Sequence, residues 1–204
     1  MNKSRIHGGA WAAAALALGL LSACGEPESE REVRAPPPLG HRHDPDTSVM
    51  GSAPSTGIMG APAASCGLRS EEALQKINAA RAAGRRCGAR NMPPAPPVRW
   101  DPLLQSAAEA HSMDMARRNY FQHRSPEGVH VSQRVSASRY KWRSIGENLA
   151  GGDRSIGEAV QGWLDSPEHC ENLMDGKFAD VAVACSAQPG TEWGTYWTMV
   201  LARR

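Results

Sequence analysis

The cysteines are the residues whose type and spacing point first to chemistry. The chain has 204 residues and five Cys. Cys24 ends the run Leu21-Ser22-Ala23-Cys24, directly after an apolar stretch from Ala10 to Leu21 that follows the basic residues Lys3, Arg5 and His7. That stretch is shorter than the roughly 20 apolar residues a membrane span needs, and it has the build of a signal-peptide core. Small residues leading to a Cys form a lipoprotein cleavage pattern, so Cys24 reads as a thiol acylated after residues 1–23 are removed. Each buried CH₂ of such acyl chains contributes about 0.8 kcal/mol to membrane attachment. The other four, Cys66, Cys87, Cys170 and Cys185, are an even number in a chain directed to an oxidising compartment, which implies two disulfides with three possible connectivities. Proximity along the chain favours Cys66–Cys87 and Cys170–Cys185. A structural zinc site is the rival reading, but no Cys-x-x-Cys occurs.

Histidines are the second candidates. His41 and His43 lie in a stretch with Pro36-Pro37-Pro38 and Asp44-Pro45 and read as solvated residues rather than metal ligands. Residues 24–65 carry almost no periodic apolar positions, so they cannot offset their ordering entropy by burial and read as a Pro/Gly-rich tether. His111 sits among Leu104, Ala107, Ala108 and Met115 at helical spacing, and is expected to be a buried core histidine. The net charge is +2 with both signs interspersed, which gives no basic stripe for nucleic acid.

Residues 66–204 have the size of one domain. Ser70 is the expected N-cap of a first helix carrying Ala73, Leu74, Ile77 and Arg81, with Gly84 as its stop. After the Pro-rich crossing 93–97, Asp101 caps a second helix with Pro102 in its first position. Val131 and Val135 suit a shorter helix. Ser155-Ile156-Gly157-Glu158 has the form of a capping box, and Ser166-Pro167 opens another helical turn. The period then changes. Phe178 to Cys185 alternates, Pro189-Gly190 turns, and Tyr196 to Leu201 reads as a buried return strand. Helices first and an antiparallel hairpin last make an α+β layered domain.

Five segments in order resemble the CAP superfamily of cysteine-rich secretory, antigen 5 and pathogenesis-related proteins, in its bacterial SCP-like form. They are His111-Ser112-Met113-Asp114-Met115-Ala116, Phe121-Gln122-His123-Arg124-Ser125-Pro126, Gly146-Glu147-Asn148-Leu149-Ala150, Trp163-Leu164-Asp165-Ser166-Pro167-Glu168-His169 and Tyr196-Trp197-Thr198. The resemblance implies a three-layer α-β-α sandwich with a polar cleft, and carries His123, Glu147 and His169 over as its lining. The Gly-His-Tyr/Phe-Thr strand motif of eukaryotic members appears as Thr195-Tyr196-Trp197-Thr198, without the His.

Two imidazoles and a carboxylate would suit a divalent metal such as zinc with one open position. The same groups would suit a general base and its orienting partner, with Ser125 the nearest hydroxyl. They would equally serve as hydrogen-bonding groups that fix the fold. The leading expectation is a non-enzymatic binding module held at the membrane by lipid in the cell envelope, at the outer membrane or cell surface, with a lipid, a cell-wall glycan or an envelope protein as ligand. A metal-dependent envelope hydrolase is the alternative. Of the tryptophans, Trp163 and Trp197 are expected in the core.

Overall fold

The computed structural model describes residues 64–204, all within one compact unit. The expected leader, Cys24 and most of the expected tether lie outside the described residues. The elements run β1 (Ala64–Ser65), α1 (Ser70–Ala83), β2 (Arg85–Cys87), β3 (Arg90–Met92), β4 (Arg99–Trp100), α2 (Pro102–Arg118), α3 (Val131–Ala137), β5 (Ser144–Gly151), α4 (Ile156–Asp165), α5 (Pro167–Met174), β6 (Asp180–Ala187) and β7 (Thr195–Arg203). The five-stranded sheet has the order β1-β6-β7-β5, with β4 pairing parallel to β6. β6 and β7 form the expected antiparallel hairpin, with Val183 opposite Met199.

Alternation along β6 and β7 divides the core. Val181, Val183, Trp197, Met199 and Leu201 face Ala73 and Ile77 of α1, Trp163 of α4 and Leu173 of α5. Ala182, Ala184 and Val200 face Leu104, Ala107 and Ala108 of α2 and Val135 of α3. One sheet with helices on both sides is the α+β, three-layer α-β-α sandwich expected from the sequence, and Trp163 and Trp197 are both buried in it.

Several helix boundaries follow from local chemistry. Asp101 accepts hydrogen bonds from the Leu103 and Leu104 amides, and Pro102 occupies the first turn of α2. Gly84 ends α1 at φ 59°, where an added Cβ would also meet the Pro94 ring. Ser155 caps α4 through the Glu158 amide, but the Glu158 carboxylate accepts from Arg154 N–H rather than closing the box on Ser155. The start of α1 differs from the sequence expectation. Arg69 is its N-cap residue, Ser70 is its first helical residue, and no side chain caps it.

The disulfides correct the proximity reading. They join Cys66 to Cys185 and Cys87 to Cys170. Pairing of Ser65 with Ser186 brings Cys66 beside Cys185 on β6. The 14 residues of α1 then carry the chain about 21 Å away before Cys87, which comes to rest against α5. Sheet register, rather than chain distance, selects the partners.

Candidate functional site

Glu147 is the hub of the site. It stands on edge strand β5 opposite Val200 of β7, and its side chain is only 2% exposed. A carboxylate this buried needs partners for both oxygens, and it has them. Oε1 lies 2.9 Å from His123 Nδ1, and Oε2 accepts from Arg134 Nη2 at 2.6 Å. Burial alone would raise the Glu147 carboxyl, but the His123 hydrogen bond and the Arg134 charge outweigh it and hold the group below its ordinary value. An ionised carboxylate only accepts, so His123 donates through Nδ1–H. That fixes the ring and leaves Nε2 as its open nitrogen on a side chain 27% exposed.

Arg134 does more than neutralise. From α3 it also donates to the His123 carbonyl through both terminal nitrogens, at 3.2 and 3.1 Å, and to the Val129 carbonyl at 2.9 Å. One guanidinium thus holds the backbone of His123 as well as the carboxylate that orients its ring. Sequence reasoning did not single Arg134 out. Its partner Glu147 lies 13 positions further along, beyond α3, and no helical or strand period connects them.

The residues on either side of Glu147 belong to the opposite layer. Asn148 is fully buried and donates to the His169 carbonyl at 2.9 Å, while Asn172 of α5 donates to Asn148 Oδ1 at 2.8 Å. Gly146 makes this possible, because a Cβ there would collide with the Asn172 amide. Gly-Glu-Asn is therefore a local device: the glycine admits α5, the glutamate holds the loop before α3, and the asparagine holds α5. His169 is half-buried, and its pKa is lowered to about 4 by burial first and then by the nearby His123 charge.

His111 is 1% exposed, as the apolar stripe around it implied, with Nε2 3.0 Å from the Gln122 carbonyl. Burial lowers it to about 4. It feels the charges of Glu147, Arg134 and His123, so it lies near the site.

Two expectations fare differently from the cluster itself. Among the described residues no group of three or more His, Cys, Asp or Glu side chains is placed to hold a metal ion. His123, Glu147 and His169 therefore do not assemble into the three-ligand zinc set that residue type suggested, and both Glu147 oxygens are already committed. Ser125 is not poised as a nucleophile either. Its hydroxyl donates to Glu127 at 3.0 Å and accepts from the Val129 amide at 3.2 Å, closing a turn. Tyr196, which stands in the strand motif where eukaryotic relatives carry His, is fully buried and bonds Asn119 Oδ1 at 3.0 Å.

Residues 74–201 match the CAP family, the cysteine-rich secretory protein family, over most of the described chain. The chain belongs to the CAP family. Two Bacillus subtilis (strain 168) relatives are each 30% identical: the uncharacterized protein YkwD over 102 residues and the uncharacterized membrane protein YlbC over 86 residues. These alignments cover 50% and 42% of this chain but only 38% and 25% of those proteins. Among solved structures, an extracellular SCP-domain protein of Bacillus anthracis (strain Ames) superposes with a TM-score of 0.53 at 26% identity, covering 66% of this chain and 41% of that one. An outer surface protein of Borrelia burgdorferi shares the fold at a TM-score of 0.50 and 18% identity, covering 67% of this chain and 96% of that one. In this CAP domain Glu147 is the point on which His123 and Arg134 converge.

Proposed function

We propose that this CAP-domain chain is an extracytoplasmic, lipid-anchored binding module whose ligand meets the open edge of His123 beside His169. The observation that carries the reading is the closure of Glu147. With one oxygen on His123 and the other on Arg134, the buried charge is spent on holding one imidazole in one orientation. Such pre-organisation favours recognition, because little ordering remains to be done when a ligand arrives. Ser125, two positions along the chain from His123, has its hydroxyl committed to a turn. An extracytoplasmic location is supported by two disulfides and by likeness to an extracellular SCP-domain protein. No helix among the described residues is long and apolar enough to cross a membrane. Attachment is assigned to acylated Cys24, with residues 24–65 as the spacer.

The ligand class is a lipid, a cell-wall glycan or an envelope protein. Co-sedimentation of the chain with isolated cell-wall sacculi and, separately, with phospholipid vesicles tests the cleft. Retention on one of them is expected to fall at least tenfold in His123→Ala, measured well below a melting temperature that itself drops because Glu147 Oε1 loses its partner. Equal retention by the variant rejects the cleft. Cys24→Ser is expected to move the protein from the membrane to the soluble fraction, and an unchanged distribution rejects the anchor.

The alternative, an envelope hydrolase, draws on the same His123–Glu147 contact, since an ionised carboxylate on Nδ1 also suits a general base; the metal dependence expected from the sequence has no three-ligand site among the described residues to rest on. Release of soluble fragments from sacculi that depends on His123 would favour it.

A further inference from the structure

Positive charge collects at one end of the sheet. Ser138 ends α3, and Arg139 turns the chain away from it at φ 71°. Residues 140–143 then run into β5. Tyr140 pins this run. It is 1% exposed, its hydroxyl donates to Asp180 at 2.6 Å, and the Arg204 guanidinium lies 4.6 Å over its ring. With Tyr140 turned inward, Arg139, Lys141 and Arg143 are all exposed. The Arg143 amide donates to the Arg203 carbonyl at 2.7 Å, which sets exposed Arg203 of β7 beside them.

None of these four cationic side chains has a hydrogen-bonding or ion-pair partner among the described residues. Asp101 and Asp180, which face this end of the sheet, are buried and engaged: Arg204 lies 2.7 Å from Asp101, and Arg99 lies 3.4 Å from Asp180. No Asp or Glu occurs from residue 128 to 146 or from 193 to 204. Setting the main-chain carboxylate of Arg204 against the four cations leaves three positive charges. The balanced composition of the whole chain conceals this patch, because folding joins the two segments that build it.

Trp142 stands among these charges. At 40% exposure it is the one large apolar side chain left exposed among the described residues. Its Nε1–H donates to Ser136 Oγ at 3.0 Å, so its polar atom is satisfied within the protein and what remains exposed is hydrocarbon. Cations alone would fit any polyanion. Cations around an exposed indole fit a surface that is anionic outside and apolar beneath, which is the interface of an anionic bilayer. Single-stranded nucleic acid shares the charge and the stacking chemistry, but the two disulfides belong to an oxidising compartment.

We propose that this patch docks the domain on an anionic phospholipid surface, with Arg139, Lys141, Arg143 and Arg203 against headgroup phosphates and Trp142 in the interfacial layer. Because Tyr140 already holds the segment, little ordering is needed on contact. His123 takes no part, so this surface and the cleft stand or fall separately.

The test uses the full chain with Cys24→Ser, which removes acylation, and unilamellar vesicles of phosphatidylcholine with or without phosphatidylglycerol. Lys3 and Arg5 are common to parent and variants, so differences between them report the patch. Co-sedimentation is expected to be on the order of tenfold or more stronger with the phosphatidylglycerol vesicles. It is expected to be lost in about 1 M salt, where the screening length is about 3 Å. Lys141→Gln with Arg143→Gln is expected to weaken it on the order of 20-fold, about fivefold for each cation. The melting temperature is expected to stay unchanged, because neither side chain has a protein partner. At saturating lipid, brominated phosphatidylcholine in the anionic vesicles is expected to quench tryptophan fluorescence, and Trp142→Ser to reduce that quenching. Equal binding to neutral vesicles, undiminished binding by the double variant, or quenching unchanged by Trp142→Ser overturns the proposal. Tighter binding of a single-stranded oligonucleotide than of the vesicles assigns the patch to nucleic acid and overturns it too.

Discussion

A buried charge must find partners or unfold its surroundings, and at Glu147 that demand organises the site. Arg134 is 9% exposed and Glu147 2%, so removing either leaves the other unpaired in the interior. Arg134→Met is expected to cost about 3–5 kcal/mol, the usual penalty for breaking a buried pair, read as a lower urea midpoint. Gly146→Ala tests the neighbouring contact. Because its Cβ would displace the Asn172 amide, a loss of about 1–3 kcal/mol is expected, typical of overpacking. The histidines give a pH signature. His111 and His169 are held near 4 in the fold against an ordinary 6.5. Between those values the unfolded chain binds more protons, so stability falls as pH drops from about 6.5 towards 4, with no contribution from these groups above that window. Thermal melts across this range are expected to show the slope. His111→Gln is expected to flatten it in part, with His169 supplying the remainder.

At the scale of elements, the junction between α1, α5 and the loop before β6 rests on a residue that the helical pattern placed correctly and whose role it did not disclose. Arg81 falls on the apolar stripe of α1 and is fully buried. Its guanidinium donates to four main-chain carbonyls: Pro96 at 2.9 Å, Leu173 at 2.6 Å, Asp175 at 3.1 Å and Phe178 at 3.3 Å. The last three belong to the end of α5 and the turn after it, where helical carbonyls lack partners within the helix. Arg81 thus serves as a C-terminal cap supplied by another element. Arg81→Leu keeps much of the volume and leaves these carbonyls bare. It is expected to lower stability by about 3 kcal/mol or more, since each unsatisfied buried group costs roughly 1–3 kcal/mol. Amide exchange is expected to accelerate first in residues 167–178, and uniform acceleration across the domain would contradict a local cap.

For the molecule as a whole, the two disulfides close long loops, with sequence separations of 119 and 83. One ties the start of the described chain to the central sheet, and the other ties the β2–β3 hairpin to α5. On a chain-entropy account, loops of this length contribute on the order of 4–5 kcal/mol each. Proteolysis without reduction, followed by mass spectrometry, is expected to yield fragments joining Cys66 with Cys185 and Cys87 with Cys170. Recovery of a Cys66–Cys87 fragment would contradict the fold's register. Cys87→Ser with Cys170→Ser is expected to lower the melting temperature while leaving β6 and β7 protected from exchange, because their pairing does not involve α5.

What the sequence determined by itself was local or periodic. The apolar stripes of α2 and α4, the Asp101-Pro102 start, the Gly84 stop and the alternation in β6 are each written within a few residues, because capping and amphipathicity act over one or two turns. Five motifs in order carried the family, and with it the candidates His123, Glu147 and His169. The tertiary structure alone decided the contacts between layers. It replaced the nearest-neighbour disulfides by those that sheet register permits, joined Arg134 to Glu147, sent Arg81 to the carbonyls after α5, and left His123, Glu147 and His169 short of a metal-binding set. Such pairings depend on where elements lie after packing, and the spacing of residues along a chain holds no record of the distance between two layers of a sandwich.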